Sequence, residues 1–258
     1  MLDTGTTGAE VLTRQRLGMQ QLSPHGLSEI WALGFCGDLH WQMLADALGQ
    51  KGFGFRVADG RPLYAAFCAT RIELSPQQDL LGGELTISSR LAGIDGARVG
   101  SSHEFRQDGR VIGSLLMLSA FVTHDESGSN RRIVRARPDR DCALAAAGPD
   151  LQALNARARE RTRAQRGTRI LDGSLIHPNP ALDFNAVGLL YFPSFTRIIE
   201  MTAGAAQPVA RREIVYLGNL DPGEAVRVHR RGSTAVVARP DGQIIASAFE
   251  DRLGEHPH

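Results

Sequence analysis

Cysteine is scarce in this chain: Cys36, Cys68 and Cys142 are the only three, and no CxxC pair occurs. An odd number without paired spacing excludes a disulfide framework and points to a reducing, cytoplasmic setting. Charge of one sign is lacking too. The 29 Lys and Arg against 28 Asp and Glu leave a net charge of +1, so overall charge favours neither nucleic acid nor a membrane surface. No apolar run reaches the roughly 18 residues that span a bilayer. Met1 to Glu10 has neither a basic n-region nor an apolar h-region, and reads as a frayed tail rather than a secretory signal. The eight histidines include no HExxH, and none joins a CxxC, so no metal site is expected. Loops such as Gly82-Gly83 lack the Walker spacing and the dinucleotide fingerprint, so no nucleotide cofactor is expected either.

What is present is a repeat. Leu27 to Trp41 and Phe184 to Ile198 are both long apolar runs, each opened by a turn and followed by strand-rich sequence. Ser23-Pro24-His25-Gly26 precedes the first and His177-Pro178-Asn179-Pro180 the second. Asp108 to Ser114 matches Asp241 to Ser247 near the end of each half. In the first run, Trp31, Phe35, Leu39 and Met43 recur at three- to four-residue spacing, which predicts a helix buried on most sides. Ser28 is placed to cap it, and Gly34 and Gly37 mark close packing. The second helix is expected from about Asn185 to Thr202. Strands are expected at Leu12–Leu22, Leu63–Leu74, Glu84–Leu91, Val99–Arg106 and Val111–Val122 in the first half. In the second they are expected at Arg169–Ile176, Val209–Leu217, Ala225–Arg230, Thr234–Arg239 and Gln243–Phe249. Asp108-Gly109 has the composition of a tight hairpin turn. The expectation is an α+β chain of two units, 12–123 and 168–250. They are joined by a connector, 124–167, that carries an Arg-rich helix at Asp150–Arg166. A duplicated unit has an internal interface, where small-molecule sites are favoured.

Three runs carry a resemblance to a known family: Gly26 to Trp31 with Gly37 to Trp41, Arg61 to Phe67, and Phe184 to Phe192. They resemble the LnmK-type bifunctional acyltransferase/decarboxylases of polyketide biosynthesis. The resemblance extends from about Gly18 to Phe249. It implies a double hot-dog fold, each unit being one long helix wrapped by an antiparallel sheet. It also implies a reaction: a methylmalonyl group on coenzyme A loses CO₂ and leaves as a propionyl group on the phosphopantetheine arm of an acyl carrier protein. Coenzyme A is then part of the substrate and no separate cofactor is implied. Ile30 stands where members of that family often carry Asn, which leaves the acyl group open. A tandem unit already supplies the paired interface, and a further homodimer stays open.

Tyr64 lies in the run that matches the family's proposed catalytic tyrosine. An ordinary phenol is a weak nucleophile, so Tyr64 either takes the acyl group or donates a proton to the enolate. Ser28 and Asn185 stand at expected helix openings, where backbone amides favour a developing negative charge; capping is the plainer role for both. Gly188 allows close approach, of a ligand or of a neighbouring helix. His40 is placed either as an acid–base group or as a buried, hydrogen-bonded core residue. Asp38 and Glu29 share its helix without the spacing of a carboxylate pair. Cys36 and Cys68 read as core. Arg131–Arg140 and Arg157–Arg166 are either solvated charge or landing sites for phosphate or an acidic carrier protein. Two other readings remain beside the decarboxylating one. The first is a hot-dog thioesterase or non-decarboxylating acyltransferase, with Glu29 or Asp38 as the carboxylate. The second is a non-catalytic module that binds acyl-CoA or a carrier protein.

Overall fold

The computed structural model describes residues 10–253 except 51, 53, 58, 77–78, 96–97, 140–142 and 205–206. The first nine residues of the expected tail, Arg140, Cys142, His256 and His258 therefore lie outside the described residues. The first half of the chain contains β1 (Val11–Arg16), β2 (Leu22–Ser23), β3 (Gly26–Leu27), α1 (Glu29–Ala47), β4 (Tyr64–Leu74), β5 (Glu84–Asp95), β6 (Arg98–Gln107) and β7 (Arg110–His124). The middle contributes β8 (Ile133–Arg135) and α2 (Pro149–Ala164). The second half contains β9 (Ser174–Ile176), α3 (Phe192–Glu200), β10 (Val209–Tyr216), β11 (Val226–Arg231), β12 (Thr234–Ala238) and β13 (Ile244–Arg252).

Eleven of these strands form one antiparallel sheet in the order β1-β5-β6-β7-β4-β10-β13-β12-β11-β9, with β8 paired to β7. The two halves meet where β4 pairs β10, in the register Arg211 with Glu73 through Val215 with Ala69. The β6–β7 hairpin turns at Asp108 (φ 49°) and Gly109 (φ 76°), the two positive values that suit the right-handed twist of its strands.

Helix α1 forms because its apolar residues cover nearly its whole circumference and Ser28 caps it. The Ser28 hydroxyl accepts from the Trp31 amide at 3.3 Å, satisfying one orphan donor. Its buried Ala32, Leu33 and Cys36 pack with Leu17, Ile87, Phe105, Leu115 and Met117. Helix α3 does the same in the second half: Phe195, Ile198 and Ile199 pack on Ile214, Val237 and Ile245. Helix α2 covers the opposite face, since Leu118 belongs to its cluster while Met117 belongs to that of α1, and successive strand residues point to opposite faces. Its Leu151, Leu154 and Ala158 contact Ala69 of β4 and Val215 of β10, so α2 straddles the joint between the halves.

The second helix is shorter than the sequence suggests. It starts at Phe192, and Tyr191, not Asn185, is its N-cap residue. Asn185 instead holds a turn: its side-chain oxygen accepts from the amides of Val187 at 3.2 Å and Leu189 at 3.0 Å, and Gly188 takes φ +78°. Asn diverts backbone amides from helix formation in this way. A helix begun at Asn185 would also carry Pro193 in its interior, at a cost of about 3 kcal/mol, whereas the first turn accepts proline readily. The strand expected from Arg169 is likewise short: Arg169 makes one isolated bridge to Gln243, and β9 begins at Ser174.

Candidate active site

A cavity of about 770 Å³ opens at the joint between the halves. Its walls come from α1 (Gly37, Asp38, Trp41), from β4 (Tyr64 to Cys68), from the loop at 184–191, and from the region of Asn219, Arg239 and Gln243. Close approach of the two helices builds one wall. A Cβ added at Gly37 would stand 2.9 Å from the Phe192 ring, and one at Gly34 would stand 3.4 Å from the Tyr191 hydroxyl. The glycines of α1 thus admit the start of α3. Phe67 packs on Phe192 with ring centroids 4.4 Å apart. Strand β4 carries a register irregularity between Phe67 and Ala69, beside the cavity, where bulges often re-aim side chains.

The loop of the opposite wall is held from several sides. Phe184 bridges Leu190. The Asn219 side chain accepts from the Leu190 amide at 2.9 Å and donates to its carbonyl at 3.2 Å. Asn130 donates to the Gly188 carbonyl at 2.6 Å and to that of Leu220 at 3.0 Å. Buried Asp183 pairs with Arg197 of α3 and accepts from the Asn179 amide at 2.7 Å. These bonds fix the turn without a helix.

Asp38 is the carboxylate of this cavity. It projects from α1 into the open space, without an ion pair among the described residues. The apolar walls desolvate it and raise its pKa above the ordinary aspartate value. Tyr191 faces the same space. Desolvation first, and then the charge of Asp38, push its pKa up to about 12, so its hydroxyl stays a hydrogen-bond donor throughout the neutral range. A water or a carbonyl group between the two would meet a base and a donor.

The expected site residues are not all brought together here. Tyr64 lines the cavity, half-buried, its ring edge-on to that of His124 at 5.6 Å, and its hydroxyl has no partner among the described residues. Asn185 also lines the cavity, from its turn. Gly188 stands in the same turn and uses its carbonyl to anchor Asn130. Ser28 caps α1 and is absent from the cavity lining. His40, on α1, is fully buried in a chain of hydrogen bonds that links the Ser119 hydroxyl and His40 (2.8 Å), His40 and the Ser101 hydroxyl (2.7 Å), Ser101 and His103 (2.9 Å), and His103 and the Ser89 hydroxyl (2.8 Å). Desolvation lowers the pKa of both imidazoles to about 3, so they are neutral core groups and do not reach the cavity.

Glu29 is also removed from it. Its carboxylate lies 3.0 Å from Arg212 and accepts from Thr196 at 3.3 Å. Of the arginines, Arg131 and Arg135 reach the cavity. Those of α2 do not: Arg157 and Arg161 bind Glu213 at 2.9 and 3.7 Å, and Arg159 pairs with Asp95. Sequence reasoning missed Tyr191 and Arg239. The first had a signal, because Pro193 marks a helix start two residues after it; Arg239 had none.

The chain matches no family model and no curated protein sequence. Solved structures do match. One is a 12:0-ACP thioesterase from Umbellularia californica, with a TM-score of 0.65, 11% identity, and coverage of 96% of this chain and 98% of that one. Another is an acyl-ACP thioesterase from Bacteroides thetaiotaomicron, with a TM-score of 0.62, 9% identity, and coverage of 93% and 96%. Identity this low shows the shared fold alone: the hot-dog fold, a large antiparallel sheet with few helices.

Proposed function

We propose that this chain is a tandem hot-dog hydrolase of acyl thioesters, carried on coenzyme A or on an acyl carrier protein. The observation that carries the reading is Asp38: an exposed carboxylate facing an apolar cavity of ligand size, its pKa raised by partial desolvation, without an ion pair among the described residues. The structural neighbours are named as acyl-ACP thioesterases, which supports the same class. In the reaction, Asp38 takes a proton from water as the water oxygen bonds to the thioester carbonyl carbon. The Tyr191 hydroxyl donates to the resulting oxyanion. The C–S bond then breaks, and the leaving thiolate takes the proton from Asp38. Free acid and free thiol are the products. Arg135, exposed at the cavity, is placed to meet an acidic carrier surface.

The decarboxylating acyl transfer implied by the LnmK resemblance is the second reading, favoured by the unpartnered Tyr64 hydroxyl in the same cavity. One assay separates the two. Incubation with butyryl-, malonyl- and methylmalonyl-coenzyme A, with and without a carrier protein, is followed by thiol release, CO₂ release and mass spectrometry of the carrier. Thiol and free acid without CO₂ support hydrolysis. CO₂ release with propionyl transfer to the carrier, abolished in Tyr64→Phe and retained in Asp38→Asn, would replace it with the second reading.

A further inference from the structure

Arg239 is a cation on the wall of the cavity with no ion pair among the described residues. It is only 3% exposed and lines the cavity from the end of β12. Its Nη1 donates to the Asn219 carbonyl at 3.1 Å and its Nη2 to the Gln243 side-chain oxygen, both neutral acceptors. Its Nε is buried without a hydrogen-bond partner among the described residues. No carboxylate forms an ion pair with it among the described residues. The acids around it are committed elsewhere. Asp221 accepts from the Ser129 hydroxyl and the Asn130 amide, both at 2.7 Å. Glu224 pairs with Arg131, and Asp241 accepts from the Gln243 amide at 2.9 Å. They act on Arg239 only at a distance.

Burial therefore disfavours the charge, and desolvation lowers the Arg239 pKa. An arginine stays protonated even so, and a buried cation costs several kcal/mol unless something pairs it. In the wall of an open cavity, the missing charge is one that a ligand brings. Helix α1 contributes Asp38 to the same cavity, so one wall offers a base and the other a cation.

We infer that Arg239 is the counter-charge for an anionic oxygen group of the thioester ligand, either a carboxylate on its acyl group or the phosphate of its pantetheine arm. This deepens the hydrolase reading and rests on it for the identity of the ligand as a thioester. A carboxylate held there would be retained in the product, because pairing it with a cation stabilises it against loss of CO₂.

The test uses thioethers, which cannot be hydrolysed, so binding is read independently of turnover. Butyl-coenzyme A, 3-carboxypropyl-coenzyme A and their phosphate-free pantetheine counterparts are titrated calorimetrically into the full chain and into Arg239→Met. A charge-assisted pair is worth about tenfold or more in affinity. If the carboxylate is the partner, the native chain binds each carboxypropyl ligand about tenfold tighter than its butyl counterpart, and Arg239→Met removes that preference. If the phosphate is the partner, both coenzyme A thioethers exceed their phosphate-free counterparts, and Arg239→Met removes that difference. The native comparison needs no variant to fold. Equal binding of all four ligands by the native chain, binding of none, or a charge preference that survives in Arg239→Met overturns the proposal. A preference found in a chain that releases no thiol from the matching thioesters would leave this site standing and remove the hydrolase reading.

Discussion

Acidification from pH 7 to pH 5 should weaken the fold through His40 and His103. Both imidazoles are buried and neutral, with pKa values lowered to about 3 by desolvation. In the unfolded chain they return to about 6.5. Between those values the unfolded state binds more protons than the folded one, so stability rises with pH and is lost as pH falls below about 6.5. Each pH unit below the unfolded pKa is worth about 1.4 kcal/mol per group. At pH 5 each histidine therefore costs about 2 kcal/mol relative to pH 7, and the pair roughly 4 kcal/mol. That is a large share of a typical stability of about 5–15 kcal/mol. The window stays above the ordinary carboxylate values, which limits other contributions. Urea titrations at pH 7, 6 and 5 read the loss directly, and NMR should keep both imidazoles in their neutral form at pH 5. An unchanged unfolding free energy across that range, or protonation of His40 in the folded chain near pH 6, would refute the reasoning.

Other consequences follow from the site and the joint. Asp38→Asn should lower kcat about 10²- to 10⁴-fold, the usual share of a general base, with far less change in KM; undiminished thiol release would exclude Asp38 as the base. Because its pKa is raised and the ionised form is needed, kcat/KM of the native chain should fall on the acid side with a midpoint above the ordinary aspartate value. Ser28→Ala should cost about 1 kcal/mol of stability through the lost cap and leave turnover unchanged, since Ser28 is outside the cavity lining; a loss of kcat in the folded variant would restore a site role. Gly37→Val should cost about 1–3 kcal/mol, because even a Cβ meets the Phe192 ring at 2.9 Å, and thermal unfolding measures it. Arg212→Met should cost about 3–5 kcal/mol by stranding Glu29, whose one cation among the described residues is Arg212; a near-native unfolding midpoint would show that the cluster carries no such charge.

The sheet and α1 were legible because each rests on local chemistry. Period-two alternation marks the long strands, Asp108-Gly109 marks the hairpin, and Ser28 before an apolar run marks the start of α1. The second helix was misread for an equally local reason. The run from Phe184 to Phe192 is as apolar as a helix, but Asn185 and Gly188 divert its backbone into a turn, and Pro193 belongs in a first turn. Apolar content outweighed turn chemistry in that reading. The site was legible only in part. Tyr64 and Asn185 were singled out and do line the cavity, while Asp38 gave no spacing signal, because Tyr191, which faces the same cavity, lies on the other half of the chain. Arg239 was invisible for the same reason: what distinguishes it is that the nearby carboxylates are held by other groups and none forms an ion pair with it among the described residues, which only the folded chain reveals.

The joint also shows why a cavity opens at one contact between α1 and α3 and not at the other. The cavity forms where the start of α3 meets the middle of α1, whose Gly34 and Gly37 make room for the Tyr191 hydroxyl and the Phe192 ring. The reciprocal place is where the start of α1 meets the end of α3. There Glu29 from the first turn of α1 and Glu200 from the last turn of α3 are bridged by Arg212, which is 1% exposed and also binds Glu250 at 3.0 Å. Arg230 and Arg252 add two more cations on Glu250, each at 3.0 Å. Long side chains thus occupy the volume that a ligand would need, and their charges satisfy one another. Glu29 starts one helix much as Tyr191 starts the other, yet one is locked into an ion cluster and the other faces open space. The difference lies in what each meets across the joint: a guanidinium in one case, and two glycines with an unpaired aspartate in the other.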